Sequence, residues 1–327
     1  MNIGLQITGN PEKYQSLLAD LHTVFPEDPK VKFHHIPDST ELNRMMPNLD
    51  VLVCYKLTPA SFEKRTDKLR WIHFGAAGIE HSLFHDLLRS RVTITNARGI
   101  HAGPVSEYVL GAMLYFTKRF ADCQSFQVSR EWTQWTIARQ MTQLAGKTVG
   151  VVGYGAIGKA VLNRCQAFGM RTMAIRRTQR FPSKNRLAAQ LLPVDHLPQL
   201  LQSSDFIVLA LPLTPFTRHL LDESMLAMVK STAILVNISR GAIVDEIALV
   251  SALGNHRLTG AALDVFWEEP LPPDHPLFDM DNVLLSPHIS GNFPEYQRDT
   301  VLQFGVNLRR FCTGKSLLNR VGKRRLY

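Results

Sequence analysis

What this chain lacks narrows its class before any motif is read. No segment reaches the ~18 to 20 consecutive apolar residues that a membrane-spanning helix needs. The first ten residues, MNIGLQITGN, have none of the basic-then-apolar layout of a secretory leader. The expectation is a cytoplasmic protein with no membrane partner. Cysteine is scarce: Cys54, Cys123, Cys165 and Cys312 stand far apart, with no CxxC pair and no ligand-like spacing. Reduced thiols in a reducing compartment follow, and no bound metal is expected. Acidic residues are the minority, 28 against 37 Lys and Arg, for a formal net charge of +9. The cations are nevertheless spread thinly. Their densest run, RVGKRR at 320–325, reads as a solvated terminus, so no nucleic-acid partner is expected. A distributed positive surface instead suits small anionic ligands, which it steers in from solution.

The most informative stretch present is KTVGVVGYGAIG at 147–158. Residues 148–152 are apolar and β-branched, as in a strand covered on both faces of a parallel sheet. Residues 156–168 have helical character, with Gly169 placed to end the helix. Between them, Gly153 permits a tight turn, Gly155 lets the backbone approach a pyrophosphate, and Gly158 allows close packing of helix on strand. The N–H groups and partial positive charge at such a helix start favour phosphate. A lone GxGxxG also fits a purely structural glycine turn. The strand before it and the helix after it point to a dinucleotide, NAD or NADP.

At 327 residues the chain exceeds the size of most single cores, so two domains are expected. Apolar segments at 2–7, 31–35, 50–54, 71–74 and 92–96, with helical segments such as 11–21 and 59–62 between some of them, read as one α/β unit. A long apolar-faced helix follows at 104–120, with Pro104 just inside its start. A second unit repeats the alternation, with strands at 148–152, 171–175, 205–210, 233–237, 259–263 and 283–285, and a last helix spans 295–311. Because the glycine turn sits mid-chain, segments remain on both sides of the cofactor domain. The expected fold is α/β: two parallel-sheet domains, Rossmann-like or flavodoxin-like, with a cleft between them. Residues 1–99 and 291–327 make a discontinuous substrate-binding domain, and 100–290 the dinucleotide-binding domain.

The second strand of the cofactor domain bears on which dinucleotide binds. In NAD-binding folds an acidic residue about 20 positions past the glycines bonds the ribose hydroxyls. Here the strand at 171–175 runs into Arg176 and Arg177. A guanidinium pairs with a 2′-phosphate where a carboxylate would repel it, and Arg180 and Lys184 add to the field. The same arginines also fit a solvated loop. NADP is the preferred cofactor, with NAD the alternative.

Three later segments each bring one chemically able residue. NISRGA places Arg240 after a buried strand, DVFWEEP places Glu269 beyond another, and SPHISG places His288 at the end of a third. Open α/β sheets bind ligands at the carboxyl ends of their strands, so the three can converge beside a nicotinamide. Taken singly, they also fit a surface arginine, a solvated carboxylate and a histidine satisfied in the core. Together the motifs VGYGAIG (152–158), NISRGAIVDE (237–246), ALDVFWEEPLP (262–272) and LLSPHISG (284–291) are more specific. With FGAAGIEH (74–81) and TNARGIHAGPVSEYVLGAML (95–114) upstream, the sequence resembles the D-isomer-specific 2-hydroxyacid dehydrogenase family, glyoxylate/hydroxypyruvate reductase-like, over nearly its whole length.

That resemblance implies an oxidoreductase moving a hydride between NADPH or NADH and the carbonyl of a small 2-oxo acid, giving a D-2-hydroxy acid. Arg240, Glu269 and His288 take the catalytic positions. Physically, His288 is able to give the proton, Glu269 to orient it and favour its charged form, and Arg240 to hold the substrate carboxylate. Ala77 and Gly78, in a glycine-rich loop, offer N–H groups to that carboxylate, and the same loop also fits an ordinary strand–helix turn. Tyr154, Gly155, Ala156 and Ile157 wrap the pyrophosphate. Leu211 and Pro212 border the adenosine end, and Ile238, Ser239 and Arg240 pass under the nicotinamide ribose. Asp264 meets the carboxamide, and Val105 packs near the ring beside His288. A homodimer is implied through the helix at 104–120 and its following loop.

A second reading is an NAD(H)-sensing, corepressor-type regulatory protein on the same scaffold. Long disordered extensions, expected of it, are missing from the sequence. Phosphoglycerate dehydrogenase is disfavoured because the chain ends soon after His288, and formate dehydrogenase because that branch lacks a glutamate at the place of Glu269. Other conspicuous residues read blandly: His34 and His35 lack a third ligand, and Trp132 and Trp135 read as a packing stripe. His73, His81 and His85 lie near a cleft wall, and Arg98 and His101 flank the crossing between domains.

Overall fold

The structure, a computed structural model, describes residues 1–323. The chain forms two compact units, Met1–Ile100 with Phe293–Tyr327, and His101–Asn292. Among the described residues no helix is long and apolar enough to cross a membrane, and no group of three His, Cys, Asp or Glu is placed to hold a metal.

The first unit is built on five parallel strands: β1 (Asn2–Gln6), β2 (Lys32–His35), β3 (Val51–Cys54), β4 (Trp71–Phe74) and β5 (Thr93–Asn96), in the order β2-β1-β3-β4-β5. This is the flavodoxin-like order. The alternation of side chains on each strand divides the interior in two. Ile3, Leu5, Val51, Val53 and Trp71 face one way, onto the helices Pro11–Val24 and Tyr296–Cys312. Leu52, Cys54, Ile72, Phe74 and Ile94 face the other. Gly305 lets the two helices meet, since a Cβ there would lie 2.5 Å from Val24 Cγ2.

The second unit has seven parallel strands: β6 (Thr148–Val152), β7 (Arg171–Ile175), β8 (Gln190–Leu192), β9 (Phe206–Leu209), β10 (Ile234–Asn237), β11 (Gly260–Leu263) and β12 (Val283–Leu285). Their order is β12-β11-β10-β9-β6-β7-β8. This is the dinucleotide-binding arrangement with one further strand, and the order reverses between β6 and β9. Every residue of β6 is buried. Val149 and Val151 pack on the helices Ala102–Thr117 and Ala156–Ala167, while Val152 packs on the opposite layer with Leu200, Leu249 and Leu253.

Five local expectations are corrected. The strand β8 is absent from the pattern reading; three residues after a basic loop carry too little periodicity. It is held by edge bonds, Arg176 N to Leu192 O and a bridge from Ser183 to Leu191. The helix at 104–120 is two helices, Ala102–Thr117 and Phe120–Ser129, broken at Arg119, whose φ is 55° and whose Nε bonds Asp122 at 2.5 Å. Trp132 and Trp135 are not a packing stripe: they are 80% and 67% exposed. The basic terminus is not merely solvated either. Val321 is buried, Arg320 bridges Thr95, and Lys323 Nζ bonds the carbonyls of Leu87 and Ser90. Arg324 and Arg325, from the same run, lie outside the described residues. His73, read as near a cleft wall, is instead fully buried on β4 with Nδ1 2.8 Å from Thr95 Oγ1.

Candidate active site

The glycine turn leaves β6 and enters the helix Ala156–Ala167. Gly153 has φ 118°, and a Cβ there would sit 2.2 Å from Ala210 O, so a side chain is excluded twice over. At Gly158 a Cβ would lie 2.1 Å from Gly153 O. Gly155 differs: nothing of the protein lies within 4 Å of the place its Cβ would take. The missing side chain there keeps space open in front of a helix that no side chain caps. Such a cradle fits a pyrophosphate.

Beside it, Tyr154 bonds Asn185 Oδ1 at 2.9 Å. Its ring carries Lys159 Nζ at 5.2 Å and the Arg176 guanidinium at 6.0 Å from the centroid. Arg176 and Arg177 are exposed just past β7, and the segment 176–189 holds Arg176, Arg177, Arg180, Lys184 and Arg186 with no acidic residue. Lys159 escapes the sequence reading, although its place directly after Gly158 is a signal. Leu211 and Pro212 follow β9. Leu211 is tied at both ends to Ser239, its N to Ser239 Oγ at 2.9 Å and its O from that hydroxyl at 2.7 Å.

Arg240 follows β10 in a turn that the sequence locks. Ser239 N donates to Asn237 Oδ1, Asn237 Nδ2 donates to Arg240 O, and the Arg240 guanidinium reaches Ser239 O at 2.6 Å. Gly241 allows the turn to lie against the backbone of Phe266, which a Cβ would strike at 2.1 Å. Ile238 and Ser239 are buried beneath.

Glu269 and His288 meet directly. Glu269 Oε1 accepts from Phe266 N at 3.0 Å, which fixes the carboxylate, and Oε2 lies 2.7 Å from His288 Nδ1. The imidazole is about half exposed, and its Nε2 has no hydrogen bond among the described residues. With Nδ1 engaged by a carboxylate, Nε2 is the atom able to give or take a proton. His288 has φ 55°. The left-handed region costs a residue with a Cβ on the order of 1 kcal/mol, and such strain collects at working sites.

Asp264, directly after β11, is fully buried. It accepts Ser286 Oγ at 2.5 Å and Ile289 N at 2.8 Å on Oδ1, and Ser290 N at 2.9 Å on Oδ2. Its bonds go to the loop carrying His288, a task the sequence reading leaves out. Val105 is buried under that loop, 3.6 Å from where a Cβ on Gly291 would be, and His101 Nδ1 lies 3.1 Å from Gly291 O. Burial lowers the pKa of His101, partly offset by that carbonyl.

In the first unit, Ala77 and Gly78 stand in the loop after β4. The carbonyls of Gly75, Ala76 and Ala77 accept from Tyr296, Ala97 and Asn96 at 2.6, 3.1 and 2.7 Å. Among the described residues none accepts from the N–H of Ala77 or Gly78. A Cβ on Gly75 would strike the Tyr55 ring at 2.5 Å.

The sequence model of the D-isomer specific 2-hydroxyacid dehydrogenase, NAD binding domain, matches residues 110–290. The glyoxylate reductase of Thermococcus gammatolerans is 37% identical over 227 residues, 68% of this chain and 67% of the relative. That of Aeropyrum pernix is 36% identical over 261 residues, 77% of each. Among solved structures, the D-isomer specific 2-hydroxyacid dehydrogenase of Xanthobacter autotrophicus Py2 in complex with NADPH and MES has a TM-score of 0.82 at 27% identity, over 100% of this chain and 99% of that one. The NADPH-dependent glyoxylate/hydroxypyruvate reductase of Sinorhizobium meliloti in complex with NADP and sulfate has a TM-score of 0.84 over 100% and 99%, a likeness of fold at 24% identity.

Proposed function

The chain belongs to the D-isomer-specific 2-hydroxyacid dehydrogenases, NAD(P)-dependent oxidoreductases, and from that premise we propose that it reduces a small 2-oxo acid such as glyoxylate or hydroxypyruvate to the D-2-hydroxy acid. The observation that carries this reading is the His288–Glu269 pair, with Nδ1 held at 2.7 Å and Nε2 left to work. A reduced nicotinamide, when bound, supplies the hydride. His288 gives its Nε2 proton to the carbonyl oxygen, and in the oxidative direction takes it back. Glu269 holds the ring in place through Oε2, 2.7 Å from Nδ1. Arg240 binds the substrate carboxylate and polarises the carbonyl; in the other unit, the N–H groups of Ala77 and Gly78, which have no acceptor among the described residues, suit an anion.

NADP is the cofactor this reading prefers. Its support is the segment past β7, which carries five basic residues and no acidic one, and the two cations by the Tyr154 ring, an arrangement suited to a 2′-phosphate. Gly153, Tyr154, Gly155, Ala156, Ile157 and Gly158 would cradle the pyrophosphate. Arg176 and Arg177 would meet the 2′-phosphate, with Leu211 and Pro212 at the adenosine end. Ile238 and Ser239 would lie under the nicotinamide ribose, and Val105 beside the ring. Asp264 would offer Oδ2, which accepts one bond where Oδ1 accepts two, to the carboxamide. In domain terms, the unit with β6–β12 takes the dinucleotide and the unit with β1–β5 the acid. Four unpaired thiols, two of them exposed, suit the cytoplasm. The exposed apolar segment around Trp132 and Trp135 suits a homodimer contact.

The test follows NADPH consumption with glyoxylate, hydroxypyruvate and larger 2-oxo acids, with chiral analysis of the product. D-configured product with NADPH favoured over NADH is expected. No turnover with any 2-oxo acid and either cofactor would sink the assignment.

A further inference from the structure

The loop carrying His288 is held from beneath by the buried carboxylate of Asp264, on which Ser286 Oγ, Ile289 N and Ser290 N converge. These donors bracket His288 in sequence and pin the backbone on both sides of its left-handed φ. A strained residue persists only where its surroundings over-determine it. Ser286 makes a further bond. Its one hydroxyl proton goes to Asp264 Oδ1, so its oxygen accepts from Tyr108, whose hydroxyl is 2.7 Å away. Burial raises the pKa of Tyr108 above the usual phenol value and outweighs the opposing Ser286 bond, with a smaller upward push from nearby Asp264, so the donor keeps its proton. Tyr108 stands on the helix Ala102–Thr117, whose neighbours Val105 and Val109 are core residues. A chain of donors thus runs from a packed helix through Ser286 to Asp264, and from there to the loop that aims the imidazole at Glu269.

We propose that Asp264, Ser286 and Tyr108 are positioning residues for His288: they hold its loop in the backbone state that brings Nδ1 to Glu269, and Tyr108 anchors that state to the core. The proposal rests on the assignment of His288 as proton donor, so its test includes a readout that needs no turnover. The charged groups bonded to the loop or its ring are Asp264 beneath and Glu269 at Nδ1. Tyr108→Phe and Ser286→Ala change neither.

The experiment combines NADPH-dependent glyoxylate reduction, NADPH affinity and thermal unfolding with NMR of protein labelled with 15N-histidine. The Nδ1–H signal of His288 is assigned by its loss in His288→Gln. Tyr108→Phe is expected to lower kcat several-fold, short of the ~10²-fold that a 1 Å misplacement costs. KM, NADPH affinity and Tm stay as in the wild type, while the Nδ1–H signal moves upfield and exchanges faster. Ser286→Thr, which keeps the hydroxyl, restores what Ser286→Ala loses. The double variant Tyr108→Phe/Ser286→Ala is no worse than Ser286→Ala, because one chain is broken once. Wild-type kcat and an unmoved Nδ1–H signal in Tyr108→Phe, or additive losses in the double variant, would overturn the proposal. If the wild type shows no turnover yet the signal still responds to Tyr108→Phe, the positioning stands and the assigned reaction falls.

Discussion

In the proposed reaction His288 serves the carbonyl and Arg176 the far end of the cofactor, so each should have its own signature. His288→Ala removes the only ring atom offered for proton transfer while leaving the glycine cradle intact. Its kcat should fall by on the order of 10²-fold or more, the usual contribution of a general acid, with NADPH affinity retained by fluorescence titration. Wild-type turnover would remove the residue from the mechanism. Arg176 stands where a carboxylate would select NADH, and its backbone N is fixed by Leu192 O, so the position does not wander. Arg176→Asp should shift the kcat/KM ratio from NADPH toward NADH. An unchanged ratio would leave the preference for NADPH without its main support. A third residue, His73, titrates against folding. Burial lowers its pKa to about 3, against ~6.5 in an unfolded chain. Between those values only the unfolded form binds the proton, so stability rises with pH, is full above the unfolded pKa, and is lost as pH falls through that window. At pH 5 the loss is on the order of 2 kcal/mol. The fall in Tm between pH 7 and pH 5 should therefore be smaller in His73→Gln than in the wild type. Equal falls would mean that the histidine is protonated in the folded unit.

Elements decide what the glycine loop tolerates, and two neighbouring glycines should answer oppositely. A methyl on Gly158 meets the carbonyl of Gly153 at 2.1 Å, backbone against backbone, where nothing flexible can yield. Overpacking of that kind costs about 1–3 kcal/mol, so Gly158→Ala should lower Tm and weaken NADPH binding together. Gly155 has ordinary φ, and an added methyl enters open space. Gly155→Ala should keep the wild-type Tm yet lose NADPH affinity if, as proposed, the phosphates take that space. Calorimetry with titration separates the two, and full affinity in Gly155→Ala would mean the open space is not the phosphate cradle. The same elements explain what pattern reading could reach. The strands β6 and β7 carry enough apolar residues to be read to their ends, because both faces are covered. The strand β8 has three residues, and its pairing with β7 at the sheet edge, not its own pattern, makes it a strand. The break at Arg119 has no glycine or proline to announce it, since the pair with Asp122 forms only once the turn exists. Within the candidate site, Arg240, Glu269 and His288 stand out because motifs surround them. The Tyr108–Ser286–Asp264 chain does not, as its members lie on three elements and 178 and 22 positions apart along the chain.

At the scale of the whole molecule, the net charge of +9 opposes self-association over distance, so any dimer must rest on apolar contact. The segment after Arg119 offers that contact. Neither the helix Phe120–Ser129 nor the helix Gln134–Ala138 buries a single residue. Phe120, Val128, Trp132, Trp135 and Met141 are all exposed, Trp132 by 80% and Val128 by 84%. Phe126 packs edge-on against Trp132, ring to ring at 5.7 Å, which stiffens the surface without hiding it. An aromatic side chain covers about 150–250 Å² when buried, so two tryptophans from each protomer supply a large share of a standard interface of ~1,600 Å². Isologous pairing would bring Trp132 and Trp135 of one protomer against the same segment of its partner. The wild type should therefore run as a dimer in light scattering at micromolar concentration. Trp132→Ser/Trp135→Ser should run as a monomer with its far-ultraviolet circular dichroism unchanged, because neither ring is part of a core. Raising the salt concentration should tighten the wild-type dimer, since it screens the charge and leaves the apolar contact. A wild type that stays monomeric at those concentrations, or a double variant that stays dimeric, would remove this segment as the contact.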